Sequence, residues 1–84
     1  MAKISASLMD QLQQDPGSSV RLIIRTRGDP DQNVRRLEER GLRVARRLQL
    51  VRSLAVRGKA SAGLAILDED WVVAIEEDRP VKAA

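Results

Sequence analysis

The sequence contains no cysteine and no histidine, and Trp71 is its only aromatic residue. Without thiols and imidazoles the chain cannot form disulfides, thiolate nucleophiles or the usual zinc site, and a serine nucleophile would lack its customary base. The missing Phe and Tyr also exclude the aromatic stacking surface with which many sheet proteins bind single-stranded RNA. The composition therefore indicates a protein that is not an enzyme and needs no cofactor or metal.

Long apolar runs are missing too. The first eight residues contain no stretch of signal-peptide length, and nowhere do about 18 apolar residues follow one another. A chain of 84 residues holds one domain with one modest core. We expect a soluble monomer without a membrane partner. It would be cytoplasmic if the chain is complete and extracellular if it is excised from a longer precursor.

Basic residues are concentrated in the middle of the chain. Residues 35–57 carry eight arginines against Glu38 and Glu39. An arginine-rich segment indicates either a nucleic-acid contact or a solvated face whose arginines pair with those two glutamates. Because the chain lacks stacking aromatics, we favour the solvated face, and nucleic acid is the less favoured partner.

Residues 1–19 give a weak structural signal. Ile4, Leu8 and Leu12 are spaced by four residues, which permits an amphipathic helix. The surrounding Ser, Gln and Asp, and the breaker at 15–19, instead favour a flexible or loosely docked leader. We therefore expect the folded domain to begin at Val20.

Residues 20–78 alternate between strand and helix patterns. Asp29 and Pro30 predict a helix start, Gly41 predicts its end, and Arg46 interrupts the apolar alternation of its strand, which predicts a bulge or an edge position. The predicted elements are strand 20–26, helix 30–40, strand 42–50, strand 54–57, helix 62–67 and strand 72–75. This order predicts an α+β, ferredoxin-like βαββαβ fold: a four-stranded antiparallel sheet with two helices on one face, followed by an extended tail, 79–84.

Two segments resemble a known family. Val72-Val73-Ala74-Ile75-Glu76-Glu77-Asp78 resembles the last strand and acidic signature of subtilisin propeptides and of the free inhibitors built like them. Glu39-Arg40-Gly41-Leu42-Arg43-Val44 resembles the helix end, glycine and second strand of the same family. The match covers about residues 20–84. It implies the same fold and an inhibitor of a subtilisin-like serine protease, which would bind two surface helices of the enzyme through its open sheet face and assist the enzyme's folding as an intramolecular chaperone.

The resemblance also assigns roles to residues near the C-terminus. Glu76, Glu77 and Asp78 would cap the N-termini of the protease helices, where unpaired N–H groups favour carboxylates. The tail would lie in the active-site cleft like a bound product. Its residues are Val81 in an apolar pocket, Lys82 pointing outward, Ala83 along the cleft, and Ala84 beside the catalytic serine.

The residues alone leave a second function open. A basic ferredoxin-like module could bind nucleic acid through its arginine-rich middle, or serve as a scaffold. Nucleic-acid binding should weaken steeply with added salt, whereas a tail in a cleft should be less sensitive to salt.

Overall fold

The computed structural model describes residues 1–48 and 51–79. Its four strands form one antiparallel sheet in the order β2-β3-β1-β4. The elements are α1 (Ala6–Gln14), β1 (Ser19–Thr26), α2 (Pro30–Glu39), β2 (Arg43–Leu48), β3 (Ser53–Lys59), α3 (Ala60–Ala65) and β4 (Val72–Glu77). The predicted α+β, ferredoxin-like class is confirmed, with α1 as an additional helix.

Strand β1 supplies the centre of the hydrophobic core. It pairs with β3 on one side and with β4 on the other. Its residues Leu22 and Ile24 are fully buried and pack in one cluster with Leu37 of α2 and Ile66 after α3. Each such side chain contributes about 1.5–3 kcal/mol when it is removed from water. The helices therefore pack on the face of the sheet to which these residues point.

Helix α2 begins and ends at the predicted signals. The Asp29 carboxylate accepts a hydrogen bond from the Asp31 N–H at 3.1 Å, and Pro30 occupies the first turn. After the helix, Gly41 adopts a φ of +86°, which favours glycine. Asn33, which is fully buried, donates from Nδ2 to the Arg27 carbonyl at 2.9 Å. These contacts fix the direction in which α2 leaves β1.

The N-terminal segment joins both the core and the sheet. Helix α1 is capped by Ser5, whose side chain accepts from the Leu8 N–H at 3.1 Å, and its residues Leu8 and Leu12 lie in the core. Lys3 forms a parallel bridge to β4, with hydrogen bonds of 2.9 Å to the Val73 carbonyl and from the Ile75 N–H. Residues 1–19 thus contribute a helix and an edge contact where the sequence favours a flexible or loosely docked leader.

Two glycines allow close approach between elements. A Cβ on Gly63 of α3 would lie 2.9 Å from Leu22 Cδ1, and one on Gly58 of β3 would lie 2.7 Å from the Gly41 carbonyl oxygen. Gly63 lowers the helix propensity of α3 by about 1 kcal/mol relative to alanine. Its lack of a side chain is also what lets α3 lie directly on β1.

Replacing Leu12 by alanine should lower the free energy of unfolding by about 2–5 kcal/mol, because the leucine side chain is fully buried. Gln13→Ala, at an exposed position of the same helix, should change it by less than about 0.5 kcal/mol. Urea denaturation followed by circular dichroism measures both values. Equal midpoints for the two variants would contradict the docking of α1.

Gly58→Ala should lower the free energy of unfolding by about 1–3 kcal/mol, because the new methyl group meets a backbone oxygen that cannot turn aside. Gly17→Ala is the matched control, since nothing lies within 4 Å of its Cβ position and its φ is not positive. The control should be neutral, or stabilising by up to about 1 kcal/mol. Thermal melts of the two variants give the comparison, and a Gly58→Ala variant as stable as the control would refute the close approach.

Candidate functional site

The second face of the sheet is the candidate site. Side chains alternate along each strand, so the residues between the core positions point away from the helices. We call this surface the open face, and within residues 1–48 and 51–79 no helix covers it. Its members are Ser19, Arg21, Ile23 and Arg25 of β1, Arg43, Arg46 and Leu48 of β2, Ser53, Ala55, Arg57 and Lys59 of β3, and Ala74 and Glu76 of β4.

A bulge in β2 decides which of its residues reach the open face. Val44 lies opposite Val56, but Arg46 lies opposite Ala55, so Ala45 is the extra residue. The bulge places Leu48 on the open face. It places Arg47 on the helix side, where its Nη1 lies 2.7 Å from Asp31 Oδ1 of α2. The bulge and the edge position predicted near Arg46 are both confirmed. Unbroken alternation would have placed Leu48 on the same face as Val44, and the bulge separates them.

Apolar side chains occupy one end of the open face. Ile23, Leu48, Val51 and Ala74 line a shallow depression, and Val51 is 51% exposed. Arg25, Ser53 and Glu76 line the same depression. We call these four residues the apolar strip. Apolar side chains grouped on an uncovered face are typical of a protein contact surface.

Three arginines form a row at the other end of the open face. Arg43, Arg57 and Arg21 lie directly opposite one another on β2, β3 and β1, and we call them the arginine row. All three are exposed. Like charges in directly opposite cross-strand positions destabilise a sheet. The row is therefore unfavourable for the isolated fold.

The three acidic residues at the end of β4 do not point the same way. Glu76 lies opposite Ile23 on the open face and is exposed. Glu77 lies opposite Leu22 on the helix side, and its Oε2 accepts from Arg79 Nε at 3.1 Å. Strand alternation therefore places Glu76 and Glu77, which are adjacent in the sequence, on opposite faces of the sheet.

Asp78 follows directly after β4 and returns to the open face. Its N–H donates to the Arg21 carbonyl at 3.1 Å, and its Oδ2 lies 3.8 Å from Arg46 Nη2. Arg46 belongs to the opposite edge strand, so its side chain extends across the sheet above Ala55, which is 1% exposed. The tail residues predicted to enter a protease cleft, Val81, Lys82, Ala83 and Ala84, lie outside the described residues.

Trp71 belongs to the helix side of the molecule. The residue is 8% exposed, and the guanidinium carbons of Arg36 and Arg40 lie 5.6 and 5.8 Å from its ring centroid. Arg40 also pairs with Glu69 at 3.0 Å. Trp71 is therefore a core residue, and two arginines flank its ring.

The predicted pairing of the central arginines with Glu38 and Glu39 is wrong. Among the described residues those two glutamates form no ion pair, and three of the arginines, Arg40, Arg46 and Arg47, pair instead with Glu69, Asp78 and Asp31 respectively. Glu38 and Glu39 are exposed near the end of α2, whereas the arginines of the following strand reach partners that the fold brings close.

The described residues contain neither a metal-binding cluster nor a membrane-spanning helix. No three acidic side chains there are grouped to hold a metal ion, and no helix there has the length and apolar character needed to cross a bilayer. Comparison with protein-family models and with curated proteins gives no match to this chain. The resemblance to subtilisin propeptides therefore rests on the residues of this sequence.

The contact between Arg46 and Asp78 should contribute little to stability. Both side chains are accessible to water, with that of Arg46 63% exposed, and exposed pairs contribute about 0–1 kcal/mol. A double-mutant cycle of Arg46→Gln and Asp78→Asn, measured by urea denaturation, should give a coupling energy below about 1 kcal/mol. A coupling above about 2 kcal/mol would contradict a loose surface pair.

Proposed function

We propose that this protein inhibits a subtilisin-like serine protease, docking through the open face and placing its C-terminal tail in the active-site cleft. The observation that carries the proposal is the position of the tail's origin. Residue Asp78 is held to β1 by its backbone hydrogen bond to Arg21, at the edge of an uncovered sheet face. A partner bound to that face would meet the tail at a defined place.

The residues that follow Asp78 can reach into a cleft from this anchored position. Residues 79–84 follow the anchored Asp78, and six extended residues span about 20 Å. An extended segment can add a strand to the edge of a cleft, where its main chain provides hydrogen bonds and its alternate side chains provide selectivity. Val81 would fill an apolar pocket, and Ala84 would lie by the catalytic serine and its oxyanion hole.

Glu76, Glu77 and Asp78 are expected to contact helix N-termini of the protease. Strand alternation indicates which of the three carboxylates could do so. Glu76 and Asp78 lie on the open face, so these two carboxylates are the ones that would reach helices beneath the sheet. Each such contact contributes about 0.3–1 kcal/mol. Glu77 points to the helix side and pairs with Arg79, so we assign it to holding the start of the tail.

The same interface would also assist folding of the protease. A protein that binds only the native state of its partner stabilises that state by mass action. Because the open face and the tail together would contact a large surface of the folded enzyme, inhibition and folding assistance would use one set of contacts.

The test measures inhibition of purified subtilisin-like proteases, beginning with those encoded in the same genome, by the full chain and by a copy lacking residues 81–84. The truncated copy should lose most of the inhibition. Val81→Asp should weaken inhibition by about 100-fold or more, because a charge would enter an apolar pocket. Lys82→Ala is the matched control and should change it by less than about threefold, since an outward-pointing side chain contributes little.

Two results would decide against the proposal. One is that the full chain inhibits no subtilisin-like protease. The other is that the truncated copy inhibits as well as the full chain, which would remove the tail from the mechanism. Mass spectrometry of the chain recovered after the assay shows whether loss of inhibition reflects digestion of a variant instead of weaker binding.

The arginine row favours a second candidate, a nucleic-acid-binding module. Arginines on an uncovered sheet face provide an electrostatic contact for phosphates. Fluorescence anisotropy with single-stranded and duplex probes of about 30 nucleotides tests it. Phosphate contacts by Arg21, Arg43 and Arg57 would make the observed affinity fall steeply between about 50 and 200 mM salt.

A further inference from the structure

The strands of the open face carry a net positive charge. Six of the fourteen basic residues in the described ranges lie on its strands, whereas Glu76 is the only acidic residue among the described strand positions of that face, with Asp78 at its margin. The basic residues are Arg21, Arg25, Arg43, Arg46, Arg57 and Lys59. The loops of the helix layer, in contrast, carry exposed acidic residues, among them Asp29, Asp68 and Asp70.

Most of this charge has no ion-pair partner in the described chain. Of the six residues only Arg46 forms a pair, and its distance of 3.8 Å to Asp78 is at the limit of such a contact. On the helix side, Arg40 and Arg47 are paired at 3.0 and 2.7 Å. Acidic residues therefore neutralise Arg40 and Arg47 on the helix side, whereas no acidic residue in the described ranges pairs with the arginine row.

We infer that the surface on which the open face docks is acidic, with carboxylates opposite the arginine row and an apolar area opposite the apolar strip. The inference rests on the proposed function, and it specifies the partner as a subtilisin-like protease whose docking surface carries negative charge. Carboxylates placed against Arg21, Arg43 and Arg57 would relieve the repulsion among them. The row would thus be unfavourable in the free protein and favourable in the complex.

A second copy of this chain fits the face poorly. If two open faces met with one arginine row against the other, the like-charge contacts would cost several kcal/mol. If each row met the apolar strip, the arginines would lose water without gaining a partner. The charge therefore disfavours self-association through this face and favours a partner of opposite sign.

The composition of the face distinguishes a protein from a nucleic acid. Five of its six basic residues are arginines, and they adjoin Ile23, Leu48 and Val51, a combination of arginine and apolar side chains that is typical of protein interfaces. No aromatic residue is available for base stacking, because Trp71 lies on the helix side. Apolar side chains without aromatics gain little from contact with phosphates.

The arginine row and the tail should control different rate constants of binding. Charge complementarity speeds the diffusional encounter of two surfaces and makes it sensitive to salt. Contacts made after docking mainly set the dissociation rate. The arginine row should therefore govern association with the protease, and the tail should govern dissociation.

The experiment measures association and dissociation rates with a subtilisin-like protease that the full chain inhibits, inactivated at its catalytic serine, at about 50 and 200 mM salt. Arg57→Glu should slow association about tenfold or more at the lower salt, with a smaller change in dissociation. Arg35→Glu is the control with the same change in net charge, at an exposed position of α2, and should slow it less than about threefold. Removing residues 81–84 should mainly speed dissociation.

A thermal melt supplies a readout that does not involve the protease. Arg57→Glu places a carboxylate between Arg43 and Arg21, so its Tm should equal or exceed that of the wild type. A slower association in a variant that is not less stable would identify the arginine row as a contact for the partner. Misfolding of the variant would instead lower the Tm and would affect both rate constants.

Three outcomes would overturn the inference. The first is equal association rates for Arg57→Glu and Arg35→Glu, which would leave the proposed inhibition standing but remove the acidic partner surface. The second is that Arg57→Glu abolishes binding of the nucleic-acid probe while association with the protease is unchanged, which would assign the row to nucleic acid. The third is that the wild type inhibits no subtilisin-like protease, which refutes the proposed function before any variant is compared.

Discussion

Strand β1 has a neighbouring strand on each side, and the alternation of its side chains divides the molecule into a packed half and an exposed half. Leu22 and Ile24 point into the core beneath the helices, while Arg21, Ile23 and Arg25 point to the open face. Because the strand is central, a shift of its register by one residue would move arginines into the core. The location of the core and the composition of the open face are therefore consequences of one alternating segment.

The sequence predicts those parts of the fold where a pattern is local and unbroken. The alternation of residues 20–26, and the Asp29-Pro30 start of α2, are signals of this kind. The face on which Leu48 lies could not be predicted in the same way. A single extra residue at the bulge reverses the side of every residue after it, and the position of a bulge depends on pairing with β3. Helix α1 could not be predicted for a different reason. Its nine residues would form only a marginally stable helix alone, so its formation depends on the packing of Leu8 and Leu12 against a core that the sheet assembles.

The distribution of charge follows from the same division of the molecule. Two arginines on the helix side, Arg40 and Arg47, have acidic partners because the fold brings Glu69 and Asp31 close to them. On the open face the neighbours of each strand residue are other strand residues, and the register sets Arg57 between Arg43 and Arg21. The arginines of each strand can be read from the sequence, but only the register shows that three of them share one row.

The acidic residues of β4 connect this surface to the tail. Strand alternation leaves Glu76 on the open face and turns Glu77 to the helix side, and the backbone bond from Asp78 to Arg21 fixes the point where the strand ends. A partner that contacts the arginine row would therefore lie within reach of Glu76 and Asp78 as well. Since Arg46 already holds Asp78 loosely, docking of an acidic surface would compete for Arg46 and release the Asp78 carboxylate toward a helix N-terminus.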